Sequence, residues 1–485
     1  MPAADTATQP NILFVFPDQH RPDWVGYEGD VPVRTPTLDL LADRGTAFAN
    51  TVCPSPICGP SRACLASGRE YDTCGVRDHD ADYPLAAPTL YGRLRDADYH
   101  VIGTGKFDIQ KHSTDQGIDG TNNLHANGFS DGVNSAGKWN AIGTASDGTP
   151  GDPYTKYLAD EGLLEAHLKD FERRRDPDLS YHEGVDVHAT FPTPLPDHAY
   201  SDNFVGRKTV DLLRDAPVDQ PWFMQVNFVG PHNPWDVTEE MHGWYRDPDV
   251  TFPDPVDPEG RFPAEKHQEI RRNYAAMVEN IDRWLGRFLD VLEERGERED
   301  TLVVFAADHG ELLGDHGNWY KQFPYQSSAG VPMVVAGPDV ADCGVVDPPA
   351  TILDLHATFL DYAGRDPQSV DAAMDSRSMR TYLISETTAA DAPADGGPRD
   401  VVYSGFGPWR FAFDGRHKLI RGFDPERHPQ ETDAWDETEV RSGLRDLDPI
   451  LFDLDADPHE LSDAADDKPE VADRLDDALH ELRPI

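Results

Sequence analysis

Lysine is scarce in this chain of 485 residues: ten of its 43 basic residues are Lys and the rest are Arg, set against 89 acidic residues. The formal charge of −46 repels phosphate and no basic stripe interrupts it, which excludes a nucleic-acid partner. No run of about 18 apolar residues occurs, so no stretch reads as a membrane-spanning helix. Cysteine is sparse too. Cys53, Cys58, Cys64, Cys74 and Cys343 are too few for a disulfide framework, and spacings of 5, 6 and 10 among the first four contain no C-x-x-C for a zinc knot. Met1 to Pro10 is polar, with no basic region, apolar region or twin arginine, so the expected location is the cytoplasm with no membrane partner. There is no internal repeat. Apolar content is lean at 38%, yet 9% aromatics and recurrent apolar runs exclude disorder throughout, and the length allows a sizeable core.

The acidity has a physical reading. Such a charge strains a compact chain by self-repulsion, but at about 1 M salt the Debye length shrinks to about 3 Å. The composition therefore points to a halophile's protein, the alternative being an ordinary acidic one.

By length the chain holds about three domain units, or one large α/β domain with an appendage. Apolar runs at 12–16, 100–103, 223–229, 302–306 and 333–336 read as buried strands. Helical stretches at 37–44 and 88–96 lie between them, and the clearest helix covers 267–295. Its apolar residues recur at steps of three and four from Tyr274 to Leu292, with Gly296 as the stop. The expected fold is a large, mostly parallel sheet flanked by helices over residues 1–385, followed by a small α+β domain over 386–485. Residues 386–399 read as a connector. Strands are expected at 411–413, 417–421 and 451–454, and a helix at 469–482. Residues 108–151 are rich in Gly, Asp, Asn and Ser and read as long loops; with 179–200 they are expected to line a site entrance.

Polar residues follow the ends of these strands: Asp18-Gln19, Lys106, His232 and Asp308-His309. In open α/β sheets the ligand crevice lies at the carboxyl ends of the strands, so distant residues converge there. Asp18, Gln19, Asp308 and His309 offer carboxylate, amide and imidazole donors, a set suited to a hard divalent ion: calcium first, magnesium or manganese next. Taken singly, Asp18-Gln19 reads first as a strand-end turn, and Asp308-His309 reads as readily as a helix cap; placed together they favour the metal. Cys58-Gly59-Pro60-Ser61-Arg62 adds a second signal. Pro60 suits a first helical turn, which sets Cys58 at a helix N-terminus, where free N–H groups favour an anion. A chance C-x-P-S-R match has a probability on the order of one in a thousand.

This stretch resembles the signature of the type I sulfatases, in the alkaline-phosphatase-like superfamily. Other segments are similar as well: Asn11 through Asp18-Gln19, Thr35-Pro36-Thr37 through Gly45, Gly105-Lys106 and Gly230-Pro231-His232. The run Ala307-Asp308-His309-Gly310 through Gly317 to Tyr320-Lys321 continues the likeness, and Phe452-Asp453-Leu454 with Asp457-Pro458-His459-Glu460 completes it. The resemblance implies that a maturation enzyme oxidises Cys58 to formylglycine. The hydrated aldehyde then attacks sulfur, and its second hydroxyl lets sulfate leave as the aldehyde re-forms. It also implies a divalent ion held by Asp18, Gln19, Cys58, Asp308 and His309, with Arg62 steadying the diol. Lys106 and Lys321 would neutralise the sulfuryl oxygens, and His232 would protonate the leaving oxygen. The implied substrate is a small-molecule or saccharide sulfate ester.

Two departures stand out. Asp108 occupies the position where many members carry His, so either His112 reaches in from the loop or that role is missing. The metal pairs read Asp-Gln and Asp-His, and Asp-His also occurs in related phosphonate and phosphodiester hydrolases. Those hydrolases are the rival reading, and a non-catalytic binder of sulfated ligands with unmodified Cys58 is a third.

Overall fold

The computed structural model describes residues 9–113, 115–175, 188–258, 262–384, 399–425 and 447–482. The expected connector, save residue 399, lies outside them, as do the 385/386 boundary and residues 179–187 of the second entrance loop.

Eight strands form the main sheet: β1 (Asn11–Val15), β2 (Thr46–Val52), β3 (His100–Gly105), β4 (Asp131–Asn134), β5 (Trp222–Asn227), β6 (Thr301–Ala306), β7 (Met333–Ala336) and β8 (Gly344–Thr351). Their order is β4-β3-β5-β1-β6-β7-β2-β8. All pairings are parallel except those of β7, which runs antiparallel to β6 and β2. Central β1 shows why the inner strands read as unbroken apolar runs. Ile12 and Phe14 enter one hydrophobic cluster and Leu13 and Val15 the other, so both faces are covered. The helix Ala264–Arg295 lays an apolar stripe containing Ile281, Leu285, Phe288 and Leu292 on the second face, and Gly296 ends it at φ 71°.

The C-terminal part is a four-stranded antiparallel sheet, β12-β11-β10-β9, made of β9 (Val402–Phe406), β10 (Trp409–Phe413), β11 (His417–Arg421) and β12 (Ile450–Asp453). One face packs under the helix Pro469–Leu482 through Leu475 and Leu479. From the other, Phe411, Phe413, Ile420 and Phe452 join the same cluster as Ile12 and Phe14, so the two sheets share a core.

Residues 108–151 correct the expectation of plain loop. They hold β4, which extends the sheet beside β3, and the helices Leu124–Asn127 and Lys138–Thr144, with Ile109, Phe129 and Ala141 buried. Strand β4 reads Asp-Gly-Val-Asn and gives no apolar alternation. Its Gly132 is required because a Cβ there would lie 2.1 Å from the Gly103 carbonyl oxygen. Strands β2, β8 and β9 were likewise unmarked. Strand β8 carries Pro348-Pro349, which an edge position accommodates.

Candidate active site

The carboxyl ends of β1, β5 and β6, neighbours in the sheet, deliver Asp18, His232 and Asp308 to one place, and β3 delivers Lys106 from beyond β5. Backbone pairing continues past the strands. Asp18 bridges to Pro231 and its N–H donates to Gly230 O at 3.1 Å, while the Asp308 N–H donates to Pro17 O at 3.4 Å. Asp202 Oδ1 accepts from the N–H groups of Val229 and Gly230 at 2.8 and 3.0 Å, which fixes the loop that carries His232.

Cys58 opens the fully buried helix Cys58–Ser67, as Pro60 led us to expect, and Gly68 closes it at φ 73°. No side chain caps its N-terminus, so the first-turn N–H groups and the positive end of the dipole stay available to an anion. Around the Cys58 sulfur stand Lys321 Nζ at 2.9 Å, His309 Nε2 at 3.3 Å, Asp18 Oδ1 at 3.7 Å and Lys106 Nζ at 3.8 Å. His232 stands beside this thiol, and its Nδ1 is 2.5 Å from Asn233 O.

Arg62 is 1% exposed and ties the site together. Its Nε donates to Asp308 Oδ2 at 2.8 Å, and Nη1 donates to Lys106 O at 2.8 Å and Asn227 Oδ1 at 2.9 Å. Ser61 Oγ donates to Asp308 O at 2.6 Å. Lys106 pairs with Asp18 and lies 3.1 Å from Asp108 Oδ2; Lys321 Nζ is 3.1 Å from His309 Nε2.

Burial and the lysine ring oppose one another at the thiol. Burial alone would raise its pKa, but Lys106 and Lys321 hold it well below the ordinary thiol value. Asp18 shows the same contest: burial and Cys58 push upward, and Lys106, His232 and Lys321 win, so it stays ionised. Asp308 goes the other way, raised by burial against the pull of Arg62, with Asp18 adding to the rise. His232 is driven down to about 4 by burial and then by Lys321, so it is neutral at pH 7 in the free protein.

The donor set fits a divalent ion. Asp18, Cys58, Asp308 and His309, all buried, offer ligand atoms within 4.8 Å of one another. Gln19 adds a separate observation. Its backbone sits at φ 68°, Tyr274 OH donates to its carbonyl at 2.6 Å, and its amide nitrogen bonds to Glu311. The amide oxygen is left buried with no hydrogen-bond partner, an orphan acceptor that a cation would satisfy.

Every site residue expected from the sequence thus meets here. The sequence did not reveal Asn227, Glu311, Lys111 or His79. Asn227 and Glu311 act by accepting from Arg62 and Gln19, contacts with no spacing signature. Lys111 bonds to Asp108. His79 packs on the helix start, its ring 3.2 Å from where a Cβ on Gly59 would sit, and its Nε2 is buried without a partner. His112 is exposed and its N–H donates to Asp82, so it does not reach in.

The fold and this cluster are those of a hydrolase. A family model for sulfatases matches residues 10–365. The chain belongs to the sulfatase family and is a sulfatase, with the alkaline-phosphatase-like fold. It is 26% identical over 490 residues to a choline-sulfatase of Rhizobium meliloti, covering 95% of this chain and 83% of that one. Among solved structures it resembles a phosphonate monoester hydrolase of Agrobacterium radiobacter, with TM-score 0.74, 21% identity, and 98% and 95% of the two chains covered. Another neighbour, solved in complex with its substrate D-glucosamine-2-N,6-O-disulfate, has TM-score 0.70, 19% identity and 98% coverage of both chains. No helix among the described residues is long and apolar enough to cross a membrane.

Proposed function

We propose that this sulfatase hydrolyses the sulfate monoester of a small molecule or saccharide, using formylglycine made from Cys58 by a maturation enzyme and one divalent ion, calcium foremost. The observation that carries the reading is a buried cysteine at an uncapped helix N-terminus, with two lysine ammoniums within 4 Å of its sulfur and three metal-type ligands whose donor atoms lie within 4.8 Å of it and of one another. Asp18, Gln19, Asp308 and His309 would hold the ion, which when bound polarises sulfuryl oxygens and favours ionisation of the attacking hydroxyl. Formylglycine at position 58 would supply, as its hydrate, a second hydroxyl through which sulfate could leave without a stranded adduct.

The chain's own residues do the rest. Arg62 fixes Asp308 and the start of the helix in one geometry. Lys106 and Lys321 neutralise the sulfuryl oxygens as negative charge spreads over them. His232 protonates the leaving oxygen, a contribution of about 10²–10⁴ in rate. It is neutral in the free protein, and an anionic substrate set between it and Lys321 restores its affinity for a proton. A saccharide is favoured by the polar residues of the entrance loops and by the disulfated glucosamine bound by the related structure. We extend the proposal to a catalytic unit at 1–385, a C-terminal unit at 386–485, and a salt-rich cytoplasm, which the charge of −46 supports.

Peptide mass spectrometry of the Cys58 segment, on protein from the native host, tests the aldehyde: an unmodified thiol would remove this mechanism. Turnover of a matched aryl sulfate and aryl phosphonate tests the ester. Sulfate is expected to be faster, and a much faster phosphonate reaction would move the protein to the rival class.

A further inference from the structure

Three of the ten lysines in the chain gather at the Cys58 end of the site, and one of them has no task in the scheme above. Lys106 and Lys321 both reach the Cys58 sulfur within 4 Å. Lys111 instead bonds to Asp108 and, among the described residues, has no other hydrogen-bond partner. An ammonium carries three N–H donors, so two remain available. Its side chain is 15% exposed, against 4% for Lys106 and for Asp108, which makes it the outermost of these groups.

Asp108 is the residue that holds it. At φ 52° the backbone of Asp108 is left-handed, which Asp tolerates better than most residues, and its Oδ2 is shared by the Lys106 and Lys111 ammoniums. Its carbonyl oxygen lies 3.7 Å from where a Cβ on Gly59 would stand, so the pair sits over the first turn of the Cys58 helix. A lone carboxylate there would repel a sulfate ester. Lys111 offsets that charge, since Lys106 is shared with Asp18, and the unused donors belong to the cation nearest solvent.

We propose that Lys111, positioned by Asp108, is a specificity-determining contact for a second anionic group on the substrate, a carboxylate or further sulfate beside the scissile ester. The inference rests on the sulfate-ester reading and narrows its substrate class. The scissile sulfuryl group already meets Lys106 and Lys321, so a charge one step outward meets a neighbouring substituent. A local cation also matters more here than in most proteins. At −46 the far field opposes any polyanion, and only short-range pairs persist when salt screens it.

The test is direct binding, read by calorimetry on the full-length protein. The probes are benzenesulfonate and its carboxylated analogues 2- and 3-sulfobenzoate, none of which turns over. Wild type is expected to bind the better dianion about tenfold more tightly than the monoanion, the scale of one charge-assisted contact. That preference should fall toward unity in Lys111→Met and Lys111→Gln and persist in Lys111→Arg. No preference in wild type, or one that survives both neutral substitutions, overturns the proposal. Failure of the underlying reading is separate: it would appear as absent turnover of the aryl sulfate, whatever these ratios are.

Discussion

Arg62 Nε donates to Asp308 Oδ2 at 2.8 Å, and with the bond from Ser61 Oγ to Asp308 O it joins the helix that begins at Cys58 to the end of β6. Both residues are buried, so neither charge is solvated if the other is removed. Arg62→Met should therefore cost about 3–5 kcal/mol of unfolding free energy, because it strands a buried carboxylate. Denaturant unfolding measures this. Arg62→Lys keeps a charge but loses the fork that also reaches Asn227 and the Lys106 carbonyl, and should fall between the two.

Gln19 offers a test of the ion that leaves the nucleophile alone. Its buried, unpartnered amide oxygen predicts that Gln19→Leu lowers calcium affinity more than it lowers the stability of the chelator-treated protein. In wild type, calcium at a hundredfold excess over its dissociation constant should add about 2.7 kcal/mol, seen as a rise in melting temperature that chelator reverses. The variant should show little of that rise at the same calcium concentration. An undiminished rise would place the ion elsewhere.

Acid stability follows from buried histidines. Burial lowers His20 and His167 to about 4 and His356 to about 3, so each stays neutral in the fold while the unfolded chain takes up a proton below the ordinary value of 6.5. Stability is intact above that value and is lost as pH falls through the window, at up to about 1.4 kcal/mol per pH unit for each group. His356 bonds to Leu65 O and accepts from Arg93, contacts a glutamine can imitate in part. His356→Gln should flatten the slope of unfolding free energy between about pH 6 and pH 4 by up to that amount.

The net charge predicts a steep salt requirement. Raising salt from about 0.1 M to about 1 M shortens the Debye length from about 10 Å to about 3 Å, and the thermal midpoint should climb with it. A midpoint that stays high in dilute buffer would contradict the salt-adapted reading.

What the sequence disclosed follows from where burial is symmetrical. Strands β1, β3, β5 and β6 are covered on both faces and declare themselves as apolar runs, with boundaries displaced by only a few residues. Strand β4, with its Gly-Asp-Asn character, and proline-bearing β8 hold their places by pairing, which leaves no periodic trace. The same division holds at the site. Asp18, Cys58, Lys106, His232 and Asp308 follow strands or open a helix, so position and chemistry coincide. Asn227 and Glu311 matter because of what donates to them, and Asp202 because of the backbone it accepts from. Such roles exist only in three dimensions.

The C-terminal sheet also grips the segment that follows Lys321. Trp409 Nε1 donates to Gln322 O at 3.0 Å, Lys418 Nζ to Pro324 O at 3.1 Å, and Glu460 accepts from Lys418 at 2.7 Å and from the Gln326 N–H at 2.5 Å. The segment directly behind Lys321 is thus held by Trp409, Lys418 and Glu460. Cys58 is wholly enclosed in the folded chain. Under the proposed chemistry, an oxidising enzyme therefore meets the Cys58 thiol before this enclosure is complete.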